Sequence, residues 1–227
     1  RHIILSGLYV AIPAFLVFLQ PDFGSSIIIL LIWLGMIMVS GVNKKHLLAI
    51  FLITAVLLTA SWLFVFQPYQ KERILTFLNP ARDVQGAGYN AIQSMIAVGS
   101  GQMAGKGIGF GSQSRLEFLP EHQTDFIFAA FAEEWGFVGV LFVFLFYGIV
   151  VWRVLKNAFV GQSNFESLYG IGVAIFLIAQ FFIHVGMNIG LLPITGTTLP
   201  FLSYGGSHIA TIYAGFGILM GMRKYSR

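Results

Sequence analysis

The run FIFAAFAEEWGFVGVLFVFLFYGIVVW, residues 126–152, decides the fold. Its only charged residues are Glu133 and Glu134, near its start. A helix needs about 20 apolar residues to cross the hydrocarbon of a bilayer. The run is continuous rather than alternating, so a barrel strand is a poor match. A helix satisfies every backbone group within the segment, as lipid requires. Five further apolar runs, 3–19, 24–41, 46–66, 168–191 and 205–222, repeat the pattern. Together they predict an all-α fold, a polytopic transmembrane helix bundle of six spans. Composition agrees: the 227 residues are 57% hydrophobic and 10% charged, against about 25% charged in soluble domains. The 26 glycines suit helices that approach one another closely.

Lys and Arg set the orientation. Arg1 precedes the first run, and Lys44 and Lys45 lie between the second and third. Arg153 and Lys156 follow the fourth, and Arg223, Lys224 and Arg227 follow the sixth. With alternating spans these clusters share one side, which the positive-inside rule makes cytoplasmic. The other side receives a tight turn at Gln20-Pro21-Asp22-Phe23, a Pro/Gly/Thr-rich segment over 192–204, and a long loop over 67–125. Structureless loops of that length are uncommon. Ile92, Met95 and Ile96 fall at helical spacing and predict a short amphipathic or re-entrant helix over 89–98. The chain reads as one transmembrane domain, 1–227, with the loop inside it. It begins at Arg1, without Met, and is expected to be part of a longer protein with upstream spans. There is no Cys, which excludes disulfides and Cys-based metal sites.

The long loop mixes acids (Glu72, Asp83, Glu117, Glu121, Asp125) with bases (Lys71, Arg73, Arg82, Lys106, Arg115). That mixture suits an anionic substrate and a reaction needing a carboxylate. Thr124 and Asp125 open the fourth span, where acids commonly do no more than cap a helix. Glu133 and Glu134 either face a polar cavity between helices or lie just outside the hydrocarbon. His184 and Asn188 are four residues apart and share a helix face, as a ligand pair or as interhelical hydrogen-bonding groups. The five His residues lack metal-ligand spacing. Gly105-Lys106-Gly107-Ile108-Gly109 does not fit a phosphate-loop pattern. It reads as a turn with close backbone approach, from which Lys106 could still reach a phosphate. Pro193, Gly196, Pro200, Gly205 and Gly206 interrupt an apolar region, as a plain loop or as a cavity lining.

Several segments, in order, resemble the SEDS family (shape, elongation, division and sporulation), whose members include RodA, FtsW and SpoVE. They are Gln20-Pro21-Asp22-Phe23-Gly24; Gly86-Ala87-Gly88-Tyr89 with Gln93-Ser94; Gly105-Lys106-Gly107; Leu116-Glu117-Phe118-Leu119-Pro120-Glu121 with Thr124-Asp125-Phe126; Asn188-Ile189-Gly190; and Leu199-Pro200-Phe201-Leu202-Ser203-Tyr204-Gly205-Gly206-Ser207. Gln113-Ser114 and Tyr69-Gln70 look most like the RodA branch. Gln123 and His208 depart from the family pattern, which has His and Ser at those places.

The resemblance implies the last six of ten spans and a peptidoglycan glycosyltransferase of the bacterial plasma membrane, active in wall elongation and cell shape. Its substrate would be lipid II, polymerised on the extracytoplasmic face. Its partner would be a class B penicillin-binding protein, and nucleic acid is not expected. The family's essential acid falls on Asp125 and its preceding acid on Glu117. Transfer from an α-linked donor to a β-linked product inverts, so one general base suffices, unlike the paired carboxylates of retaining glycosidases. Arg73, Arg82, Lys106 and Arg115, with Glu121, are the substrate-binding candidates. A divalent cation, Mg or Mn, is the other way to neutralise the departing pyrophosphate. A lipid II flippase and a non-catalytic scaffold of the wall machinery are the competing readings. Coupled transport fits poorly, because no span carries an acid or base at its centre.

Overall fold

The structure, a computed structural model, describes residues 2–20, 22–83 and 86–225, with the side chains of His2, Lys224 and Tyr225 excepted. Arg1, Pro21, Arg227 and the Lys224 side chain, which belong to the charge clusters and the first turn, lie outside the described residues. Among those residues there are helices and no strands. All six apolar runs are helical, as α1 (His2–Leu19), α2 (Phe23–Val39), α3 (Lys44–Phe64), α7 (Ile127–Val160), α8 (Asn164–Asn188) and α9 (Gly206–Tyr225). By length and hydropathy α3, α7 and α8 suffice to cross a membrane, and α1 and α2 are shorter apolar helices. The chain is a membrane protein built as an all-α bundle.

Local signals set the helix starts. The Asp22 side chain accepts from Ser25 N–H at 2.9 Å, Asn43 from Lys45 N–H at 3.1 Å, and Ser163 from Glu166 N–H at 3.2 Å. Each satisfies one of the orphan donors of a first turn.

The packed centre is α7 against α8. Phe128, Tyr147, Val154, Ala174, Leu177 and Phe181 form its core, with Leu199 and Leu219 added from either side. The Tyr147 hydroxyl donates to Leu177 O across the pair at 3.1 Å. By contrast, α3 buries no residue within this chain.

Two sets of contacts fix sidedness. Arg223 Nη1 donates to Asn157 Oδ1 at 2.9 Å, joining the end of α9 to the end of α7. At the opposite end Tyr204 N–H donates to Gln123 O at 2.9 Å. There too Gly24 at the start of α2 packs against Thr195 and Thr197, with no room for a Cβ. The basic ends of α7 and α9 therefore share one side, and the long loop lies on the other.

The loop is itself helical: α4 (Pro68–Leu78), a 3₁₀ turn (Pro80–Arg82), α5 (Ala87–Ser100) and α6 (Ser112–Arg115). The helix expected over 89–98 is α5, slightly longer. It is tied to the bundle, because Ser94 is fully buried and its hydroxyl donates to Asn188 O at 2.8 Å. The sequence pattern did not disclose α4, whose first turn closes when the buried Gln70 side chain accepts Gln67 N–H at 2.9 Å.

α7 is not one continuous helix. At Gly136 the backbone turns to φ 65°, ψ −167°. The groups freed there are taken up by the segment after α5. Phe137 and Val138 N–H donate to Gln102 O and Met103 O, and Lys106 and Gly107 N–H donate to Glu133 O and Glu134 O. Broken backbone at membrane depth is tolerated where protein supplies the missing partners, and here it does. A Cβ on Gly136 would lie 2.3 Å from Gly105 N, and one on Gly105 would lie 2.1 Å from Glu134 O. Close backbone approach is thus the role of the glycine-rich turn.

Candidate active site

Asp125 sits one residue before the N-cap of α7. That position is Phe126, which makes no side-chain cap, and the Thr124 hydroxyl donates instead to Glu121 Oε2 at 2.9 Å. Neither Thr124 nor Asp125 caps the helix, so the capping account of this pair is set aside.

The backbone around Asp125 is held from three directions. Asn188 Nδ2 donates to Asp125 O at 3.1 Å and to His184 O at 2.8 Å, while Asn188 Oδ1 accepts Ala129 N–H at 3.2 Å. The buried Ser203 hydroxyl donates to Thr124 O at 2.8 Å and accepts Leu199 N–H at 2.7 Å. Phe126 packs with Ala97, Leu119 and Ala129 in a small buried cluster. Asn188 and His184 therefore serve as hydrogen-bonding groups, with His184 Nδ1 donating to Thr197 O at 2.7 Å.

The Asp125 side chain points to the interrupted segment between α8 and α9. Its Oδ2 would lie 3.4 Å from a Cβ at Gly196, whose φ is +71°. Half-burial, first, and the Glu121 charge, second, hold its carboxyl above the ordinary aspartate value, while Arg73 pulls it back. The directions follow from desolvation and like charge opposing ionisation and opposite charge favouring it. Arg73 projects from α4 and shares small clefts with Pro193 and Ile194. Part of the 192–204 segment thus lines clefts against α4, and its Gly196 faces Asp125.

The other expected residues separate. Glu121 stays with Asp125, on an exposed turn at φ 51°. Glu117 is exposed at φ 56°, and its carboxylate makes no hydrogen bond or ion pair among the described residues. Arg82 is exposed in the 3₁₀ turn. Lys106 is committed elsewhere: its Nζ donates to Glu133 Oε1 at 2.6 Å and to Ser112 Oγ at 2.8 Å. Arg115 lines a different cleft with His122 and Glu134. Sequence reasoning missed Gly196 and Asn188 as neighbours of Asp125. The interruption of the apolar run at 193–206 was the available signal.

Among the described residues no group of three or more His, Cys, Asp or Glu is placed to hold a metal, and Glu121 beside Asp125 is the nearest approach to one.

A half-buried carboxylate at one end of an apolar helix bundle, within the influence of the Arg73 charge, marks the candidate site of a membrane protein. A family model described as "Cell cycle protein", for FtsW, RodA and SpoVE, matches residues 1–227, and the chain belongs to that family. It is 40% identical over 215 residues to the peptidoglycan glycosyltransferase MrdB of Escherichia coli K12, covering 95% of this chain and 58% of MrdB. It is 37% identical to the stage V sporulation protein E of Bacillus subtilis, covering 100% of this chain and 62% of that protein. The chain therefore spans little more than half the length of these curated relatives. Among solved structures it is similar to a chain from a study of how a peptidoglycan synthase complex coordinates polymerization and crosslinking. That match has TM-score 0.78 and 32% identity, covering 97% of this chain and 61% of the other. The rod shape determining protein RodA of Thermus thermophilus matches at TM-score 0.65 and 26% identity, over 98% and 56% of the two chains.

Proposed function

We propose that this chain carries the catalytic centre of a peptidoglycan glycosyltransferase that polymerises lipid II during wall elongation, on the extracytoplasmic face of the bacterial plasma membrane. The observation that carries the reading is the half-buried Asp125, facing Gly196, its carboxyl held above the ordinary aspartate value and within the influence of the Arg73 charge. It is supported by the similarity to relatives named for that activity.

In this reading the 4-hydroxyl of one disaccharide attacks the anomeric carbon of the next. The C–O bond to the lipid pyrophosphate breaks, the pyrophosphate leaves with the electron pair, and the hydroxyl proton passes to Asp125. A base is most effective when its pKa lies near the working pH, and such transfer contributes about 10²–10⁴-fold. Burial and Glu121 move Asp125 in that direction. Arg73 is the cation for the departing pyrophosphate, because it is free to turn toward the site while Lys106 is bound to Glu133. Such fixed charge acts where negative charge develops. The partner in this reading is a class B penicillin-binding protein, which would crosslink the strands.

The test is polymerisation of purified lipid II by the full-length protein with its partner, comparing wild type with Asp125→Ala and Asp125→Asn. Strands of normal yield from both variants would sink the assignment. A lipid-flipping assay on the same proteins separates transport from transfer.

A further inference from the structure

A second cleft, of about 340 Å³, opens beside the first turns of α7. That volume falls in the range of small-molecule sites, about 300–1,000 Å³. Asp125 and Arg73 do not line it. Ile127, Ala130, Phe131 and Glu134, one stripe of α7, form its wall, with Arg115 and His122 from the loop opposite. The core-facing residues Phe128, Ala129 and Ala132 occupy a different face of the same helix.

The polar groups in this cleft are unspent, and one of them is held in place. The Arg115 guanidinium and the His122 ring have no hydrogen bond or ion pair among the described residues. Glu134 Oε1 accepts Gly109 N–H at 3.1 Å, which orients the carboxylate and leaves its second oxygen free. The Phe131 ring is stacked on Trp135, with centroids 5.7 Å apart and planes 10° from parallel. The loop that bears Arg115 is itself anchored, since Gln113 N–H donates to both oxygens of the fully buried Glu133 at 3.2 and 3.1 Å.

A sugar ring offers apolar C–H faces and a rim of hydroxyls. An aromatic plane covers the face, and an oriented carboxylate with free imidazole and guanidinium groups takes up the rim. A guanidinium also pairs bidentately with a carboxylate, the charged group of a peptide-bearing saccharide. We propose that the Arg115–His122–Glu134–Phe131 cleft is a second saccharide subsite, holding a carboxylated unit of the growing glycan away from the bond being formed. This rests on the glycosyltransferase reading above, in which the product carries more sugar units than the two that react.

The test uses the full-length protein in lipid nanodiscs and one probe. The probe is a tetrasaccharide of alternating N-acetylglucosamine and N-acetylmuramic acid that carries its peptides, with their free carboxylates, but no lipid or pyrophosphate. Titration calorimetry is expected to give binding by wild type and by Asp125→Asn, weakened at least tenfold by Phe131→Ala and by Arg115→Gln. Glu134→Gln keeps the Gly109 contact and loses less. A probe with its peptide carboxylates converted to amides should bind weakly and lose its dependence on Arg115. The subsite is overturned if wild type does not bind the probe, if Arg115→Gln and Phe131→Ala bind it as wild type does, or if Asp125→Asn abolishes binding. Binding is read apart from turnover. A protein that binds the probe through these residues but makes no strands from lipid II keeps the subsite and refutes the glycosyltransferase reading.

Discussion

Lys106 Nζ lies 2.6 Å from Glu133 Oε1, across 27 residues of sequence, and the Glu133 side chain is fully buried. The same carboxylate accepts Ser112 Oγ at 3.0 Å and Gln113 N–H, so one buried anion ties the glycine-rich turn and α6 to α7. Removing the cation strands the buried carboxylate, at less than the cost in a pair buried on both sides, because Lys106 itself is exposed. Lys106→Met is therefore expected to destabilise the protein more than the double variant Lys106→Met/Glu133→Gln. Thermal melts of the two singles and the double in detergent check this. Additive effects would mean that the pair is not coupled.

Gly136 and Gly105 meet at the break in α7. Both have positive φ, and an added Cβ on either would run into backbone rather than a movable side chain. Gly136→Ala and Gly105→Ala are each expected to lower the melting temperature strongly. Gly148→Ala, further along α7 with open space around it, should be neutral or raise it, since Ala is favoured over Gly in a helix by about 1 kcal/mol. Equal melting temperatures for all three variants would refute the account of the break.

Hydropathy alone placed the spans, because lipid demands long apolar helices and little else in a sequence produces them. The spacing of Ile92, Met95 and Ile96 likewise disclosed α5. The break at Gly136 was not legible, since Trp135-Gly136-Phe137 lies inside an unbroken apolar run and its cause is a strand of backbone some 30 residues earlier. The Lys106–Glu133 pair depends on that same path, so Lys106 read as a free cation. Asp125 stood out by its position at the start of the fourth span, and the resemblance to the family turned it from a helix cap into a candidate base. Its local context fits a helix cap equally well, and what distinguishes it, the approach of Gly196 and Arg73, is tertiary.

Asn188 is a buried junction whose amide donates to two carbonyls, Asp125 O and His184 O, and whose Oδ1 accepts Ala129 N–H. Stranding a buried polar group costs about 1–3 kcal/mol. Asn188→Ala is expected to destabilise by that order and to slow polymerisation by loosening Asp125. Asn188→Asp should be worse, despite its matching shape, because it sets an oxygen against two carbonyl oxygens. Melting and lipid II turnover measured on both variants decide it. An Asp variant more stable than the Ala variant would refute the assigned orientation of the amide.

The upshift of Asp125 has a sign that can be tested from both sides. A general base works only when deprotonated, so kcat/KM should fall on the acid side with a midpoint above the ordinary aspartate value of about 3.9. Glu121 raises the Asp125 pKa and Arg73 lowers it. Glu121→Gln should therefore move the acid limb to lower pH, and Arg73→Gln should move it to higher pH while also reducing the rate. Both side chains are exposed, so both displacements should shrink as salt rises and the Debye length shortens. Stability follows the same sign. Between the unfolded and folded pKa values the native state holds more protons, so the Asp125 contribution to stability is lost as pH rises through that window. Glu121→Gln should narrow the loss. Rate–pH profiles at low and high ionic strength check the argument. An acid limb that moves the same way in both variants would show that the titrating group is not Asp125.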